Sequence, residues 1–200
     1  MANAPLGYTA GMSAHFLPPS VPLSRLNETL ASQGFALLDG RSVQQWLDVP
    51  PQELARLQPT WDDLPSDQYL KDGGRYRQRR HSCFVVDGEQ PWYVEAHQFR
   101  IDTTDGIGRP TPEGAHRDGM ELVAVFLVGR HRIKGGESRV FEAHGPNGQR
   151  FTLTEPWSLL LLDDERVIHE TTPIQPADPE SIGWRDTLVI TCRSGGFQGD

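Results

Sequence analysis

Cysteine is nearly missing from this chain: 200 residues carry only Cys83 and Cys192. A disulfide framework needs more than two, so the expectation is a pair of reduced, buried thiols. Long apolar runs are missing too. The longest, Leu122 to Val128, is far too short to cross a bilayer. Basic charge is scarce: 19 Lys and Arg stand against 27 Asp and Glu, a formal net charge of -8. Binding along nucleic-acid phosphates needs a basic surface, so no nucleic-acid partner is expected. Met1 to Leu23 lack both a basic start and a continuous apolar stretch, which argues against a signal peptide. These absences favour a cytoplasmic protein with no membrane partner.

What is plentiful is glycine (20) and proline (16), a composition of turns rather than long helices. The length suits one domain over 1–200 with a real core. Residues 1–22 read as a loosely ordered lead-in and 23–74 as a helical part. Ser24 caps a helix carrying Leu26 and Leu30, with Gly34 past its end. Phe35 to Leu38 is a short strand. Ser42 with Gln45 resembles a capping box that opens a second helix through Trp46 and Leu47, stopped by Pro50. Pro51 starts a third through Leu54 and Leu57, and Pro59 to Gly74 is loop.

From Arg75 the texture changes to short β-like runs: Arg79–Val86, Tyr93–Ile101, Glu121–Val128, Ser138–Phe141, Arg150–Leu153, Ser158–Leu162, Val167–Thr171 and Thr187–Cys192. Asp87-Gly88, Gly135-Gly136, Gly145 to Gly148 and Pro173 to Gly183 supply turns between many of them. The fold class is mainly β (α+β). About eight strands fit a double-stranded β-helix, the jelly-roll or cupin-like form, over 75–193, with the N-terminal helices bracing one face.

His116 and Asp118 lie two apart, so on a strand both side chains emerge on one side. Chance supplies about one His-x-Asp for every two chains of this composition, so the pair alone says little. His169, on a separate strand, can complete two imidazoles and one carboxylate, the facial arrangement of non-haem Fe(II) oxygenases. Arg185 then shares a strand face with Thr187, Val189 and Thr191. An arginine facing a small barrel's interior needs an anionic partner, and a keto acid supplies one. The Thr187 hydroxyl can add a hydrogen bond.

Together His116-x-Asp118, His169 and Arg185-x-Thr187 look like the Fe(II)/2-oxoglutarate-dependent dioxygenases. His97 to Arg100, His116 to Gly119, Gly135 to Glu137 and Trp184 to Thr191 resemble one branch more closely. That branch is the bacterial 2OG-Fe dioxygenase family, with isoleucine 4-hydroxylase, other free amino-acid hydroxylases and BsmA-like proteins associated with biofilm and stress. The resemblance covers roughly 73–192. It implies Fe(II) on His116, Asp118 and His169, 2-oxoglutarate on Arg185 and Thr187, and O2 as oxidant. It also implies hydroxylation with release of succinate and CO2, since related halogenases lack the carboxylate that Asp118 provides.

The substrate expected is a small polar metabolite, a free L-amino acid first. Its carboxylate needs a cation and its ammonium needs acceptors. Gln98 and Arg100 share a strand face, Arg77 and its neighbours Arg79 and Arg80 precede it, and Glu113 sits just before the triad; these are the substrate-binding candidates. The Arg75 to Arg80 cluster also reads as a solvated edge strand. His97 reads as a structural or pocket residue, Phe99 and Trp184 as core. Two other classes stay open: a non-catalytic cupin-like metal-binding or sensing protein linked to stress or biofilm, and a hydrolase or isomerase on another divalent metal. Sulfoxidation would use the same site. Oligomeric state is not set by the sequence, and a homodimer is compatible with it.

Overall fold

The computed structural model describes residues 19–71 and 73–197, so most of the expected lead-in lies outside the described residues. Helix α1 (Leu26–Gln33) follows a single 3-10 turn, Leu23–Arg25, and Ser24 makes no cap. The helix stops at Gly34, which takes a left-handed φ of 79°. A Cβ there would also come 2.8 Å from Val167.

Strand β1 (Phe35–Leu38) is buried throughout. Helix α2 (Gly40–Leu47) begins two residues before the expected Ser42. Asp39 is the cap, its carboxylate accepting the Ser42 N–H at 2.7 Å. Helix α3 (Pro51–Leu57) starts on proline as expected, because the first helical N–H has no partner to lose. The stretch expected as loop begins with a 3-10 turn, Gln58–Trp61, that buries Trp61. Trp61 packs edge-on to Trp157 and donates its indole N–H to the Thr187 carbonyl at 3.2 Å. The N-terminal segment is thus pinned to the strand that carries Arg185.

The remaining strands are β2 (Arg77–Val86), β3 (Trp92–Asp102), β4 (Leu122–His131), β5 (Ile133–Gly135), β6 (Ser138–Glu142), β7 (Gly148–Phe151), β8 (Leu159–Asp163), β9 (Val167–Thr171), β10 (Ile174–Pro176) and β11 (Trp184–Arg193). Every expected run is present, with ends shifted by a few residues. β5 and β10 fall where turns are expected, and they pair with each other. Three residues are too few to carry a period-2 signal.

One sheet has the order β1-β8-β4-β11-β3-β2; β7-β6-β9 and β10-β5 form the smaller sheets. This is the double-stranded β-helix expected. Antiparallel register lines up rows across the large sheet. Leu37, Leu160, Val125, Val189, His97 and His81 form one row; Phe35, Leu162, Val123, Thr191, Glu95 and Cys83 form the next. Their apolar members from β1, β8, β4 and β11 face the interior with Val140, Phe151 and Val167 of the smaller sheet. The opposite face carries Ala36, Leu38, Phe126, Leu159, Leu161, Leu188 and Ile190, covered by Leu26 of α1 and Val43 of α2. Much of the interior polarity therefore lies on β2, β3, β11 and at His169 of β9. Cys83 is exposed rather than buried, because β2 is an edge strand and its second half stands clear of the barrel.

Candidate active site

The His116 and His169 backbones form an isolated antiparallel bridge. His116 N–H donates to the His169 carbonyl at 3.0 Å, and His169 N–H to the His116 carbonyl at 2.9 Å. A mutually bonded pair projects both side chains on one side, and the two imidazole rings lie 4.6 Å apart. Asp118 comes up between them, with His116 Nε2 3.7 Å from one carboxylate oxygen and His169 Nε2 3.5 Å from the other. Neither separation is a hydrogen bond. Ligand atoms at about 2.0–2.2 Å from one ion sit roughly 3 Å apart when adjacent, slightly closer than these. Three ligand atoms, one per side chain, all lie within 4.8 Å of one another.

The electrostatics also suit a cation. His116 Nδ1 donates to the Gly114 carbonyl at 2.9 Å, which leaves Nε2 as the nitrogen that faces Asp118 and would ligate a metal once deprotonated. Asp118, against the opposing effect of burial, pushes the His116 pKa up to about 9, with the Gly114 carbonyl and Glu113 adding to it. Burial drives the His169 pKa down. Burial raises the Asp118 carboxyl, but the imidazoles around it win and its pKa falls. The cluster thus retains a proton where a divalent ion would replace it. His169 Nδ1 is buried with no hydrogen-bond partner among the described residues, so protein contacts alone do not satisfy this ring.

Arg185 is 4% exposed, and no hydrogen bond or ion pair among the described residues reaches its guanidinium. Burial, then repulsion from Arg130, pushes its pKa down to about 10, still charged at neutral pH. Thr187 is buried two residues on, along the same face. No local pattern in the sequence marks Arg130. Leu127 pairs with Thr187, yet Arg130 pairs with Arg185, because β4 carries an extra residue at a bulge. The bulge shifts the alternation and turns Arg130 to the Arg185 side. Arg130 donates to the Leu153 and Gly135 carbonyls at 3.0 and 3.1 Å. Two neighbouring arginines, neither in an ion pair with a carboxylate among the described residues, suit an anion.

The model of the 2OG-Fe dioxygenase family matches residues 58–91 and 85–191, more than half of the chain. The chain belongs to that family. Its members use Fe(II), 2-oxoglutarate and O2, so this dioxygenase is an oxidoreductase. Among solved structures it is similar to a BsmA homologue from Methylobium petroleophilum PM1, at 38% identity and TM-score 0.85, covering 92% of this chain and 97% of that one. IDO from Bacillus thuringiensis shares the fold at 16% identity and TM-score 0.70, covering 87% and 99%. The Fe(II)/α-ketoglutarate-dependent dioxygenase TqaL does so at 15% and 0.72, covering 88% of each. No curated protein matches in sequence. No helix among the described residues is long and apolar enough to cross a membrane.

The dioxygenase does not bring Gln98 and Arg100 to the triad. They occupy the opposite face of β3 from His97 and Phe99. Gln98 donates to Thr60 Oγ1 at 2.8 Å; Arg100 pairs with Asp186 at 2.7 Å and Asp62 at 2.9 Å and stacks on Trp184. Arg77 is on the inner face but paired with buried Asp67 at 2.5 Å. Glu113 reaches within 3.5 Å of His116 Nδ1 and, with Arg77, borders an open cleft of about 910 Å³. A smaller cavity of about 230 Å³ opens directly beside Asp118, lined by Arg79, Glu95, His97, Phe99 and Thr191, with Met120 and Val189 as apolar wall. Arg79 Nε and Thr191 Oγ1 are both buried there without partners. Arg79 otherwise donates to His97 Nδ1 at 3.1 Å and lies over the Tyr69 and Phe99 rings. Burial, then Arg79 and His81, push the His97 pKa down to about 4, so this imidazole is neutral at pH 7.

Proposed function

We propose that the chain is an Fe(II)- and 2-oxoglutarate-dependent hydroxylase of a small polar metabolite, specifically a free L-amino acid. His116, Asp118 and His169 hold the iron, and Arg185 takes the distal carboxylate of 2-oxoglutarate, with Thr187 beside it. Bound there, iron with 2-oxoglutarate and O2 supplies the oxidation of a C–H bond, giving alcohol, succinate and CO2. The observation that carries this reading is the buried Arg185, without a hydrogen-bond or ion-pair partner among the described residues, on the β11 face whose Val189 and Thr191 line the cavity beside Asp118. A metal-binding or sensing module has no use for that charge, and neither has a metal-dependent hydrolase.

The amino-acid part of the proposal rests on the cavity beside Asp118. Its volume is below that of drug-sized pockets, so the occupant is small. Arg79, with its uncommitted Nε, offers a carboxylate anchor, and Glu95 offers an ammonium acceptor on the neighbouring strand. Met120 and Val189 favour an apolar side chain between those anchors and the triad. Neutral His97, accepting from Arg79, holds the guanidinium in place without competing for the anion.

An anaerobic titration of 2-oxoglutarate into the Fe(II) protein tests the chemistry: a weak visible charge-transfer band is expected. A screen of the twenty amino acids for coupled succinate release, with product masses, tests the substrate. His116→Ala is expected to abolish turnover, and unchanged turnover in that variant refutes the iron assignment.

A further inference from the structure

Asp164 stands on the turn between β8 and β9, and the chemistry above gives it nothing to do. It is 0% exposed, and no cation among the described residues pairs with its carboxylate. The carboxylate instead accepts three consecutive backbone N–H groups: Asp118 at 3.2 Å, Gly119 at 2.8 Å and Met120 at 3.0 Å. Gly119 has a φ of 76°, and a left-handed residue between its neighbours turns successive N–H groups toward one point. The Arg117 guanidinium closes the other side, donating to the Asp164 carbonyl at 2.6 Å.

We propose that Asp164 is a positioning residue for the cation site, fixing the Asp118 carboxylate relative to the two imidazoles. The inference rests on the iron reading of the triad. Three ties join the 116–120 segment to the 164–169 segment: the reciprocal His116–His169 backbone bridge, the Asp164 carboxylate on the N–H groups of 118–120, and the Arg117 guanidinium on the Asp164 carbonyl. The first sets the spacing of the imidazoles. The second sets where Asp118 sits between them. Loss of the second leaves the imidazole pair intact and frees the carboxylate from its register. Outer partners of metal ligands of this kind change metal affinity by about 10–100-fold.

Asp164→Asn keeps the side-chain shape but sets an amide NH2 against backbone donors. The probe is Mn(II), which is stable in air and visible by electron paramagnetic resonance, titrated into the full-length protein without keto acid. Asp164→Asn is expected to weaken Mn(II) about 10–100-fold. The same change in an Asp118→Ala background is expected to alter affinity less than about twofold, because Asp164 then has no ligand to position. Equal affinity in Asp164→Asn and the parent overturns the proposal, as does an equal loss in both backgrounds. A parent protein that binds no Mn(II) sinks the iron reading itself. Should Asp164→Asn fail to fold, Gly119→Ala applies the same cycle by straining the left-handed residue while leaving Asp164 in place.

Discussion

Replacing Arg185 with methionine is expected to make the protein more stable and a worse enzyme at once. The side chain is buried and charged, with no hydrogen-bond or ion-pair partner among the described residues; in the proposed complex a keto acid supplies one. Burial and Arg130 push its pKa well below the ordinary arginine value, to about 10. That displacement corresponds to roughly 3 kcal/mol spent on keeping the charge in the unliganded barrel. Methionine fills similar space and removes the charge, so stability rises by about 1–3 kcal/mol. Binding moves the other way. Losing one member of a buried charge-assisted pair costs about 2–5 kcal/mol, at least a thirtyfold loss of 2-oxoglutarate affinity. Denaturant unfolding of the metal-free protein measures the first effect; anaerobic titration of 2-oxoglutarate into the Fe(II) protein measures the second. A variant that is less stable and binds 2-oxoglutarate normally refutes the reasoning, and would make Arg185 a structural cation instead.

Arg100→Gln strips the main counter-charge from buried Asp186 and is expected to destabilise the fold by about 3 kcal/mol. The Fe(II)–keto-acid band should be unchanged in that variant; loss of the band would return Arg100 to the site. Stability at acidic pH should depend on His97. Its folded pKa of about 4 lies below the ordinary value of 6.5, so the unfolded chain binds the extra proton between them. The contribution is complete above about pH 6.5 and is lost as pH falls toward 4, roughly 3 kcal/mol in all. His97→Gln in the metal-free protein should flatten the difference over that window, measured by unfolding at pH 4.5 and 7.

Much of the fold was legible because alternating apolar residues and Gly/Pro turns report strands directly. Val167–Thr171 matches residue for residue, while β5 and β10 were too short to show a period. Ser42 looks like the α2 cap in the sequence, whereas in the fold Asp39, three residues earlier, accepts the Ser42 N–H. Among the candidate site residues, His116, Asp118 and His169 do meet. Gln98 and Arg100 do not, because one step of strand alternation separates them from His97 and Phe99. Arg79 was visible only as one of a basic cluster, and its burial beside Asp118 depends on how β2 lies on β3. Arg130 had no signal at all, since its inward turn comes from a bulge that only strand pairing reveals.

By itself, then, the sequence determined the strand-rich frame and the residue types for an iron and keto-acid centre, since periodicity, spacing and ligand chemistry are properties of the chain. The tertiary structure decided which face of β3 looks inward, because that parity follows from cross-strand register and from the helices that cover the other side. It also decided that Arg185 has an arginine rather than a carboxylate for a neighbour, and that a carboxylate from a distant turn holds the Asp118 loop. Those pairings join residues dozens of positions apart, and no local pattern in the chain records them.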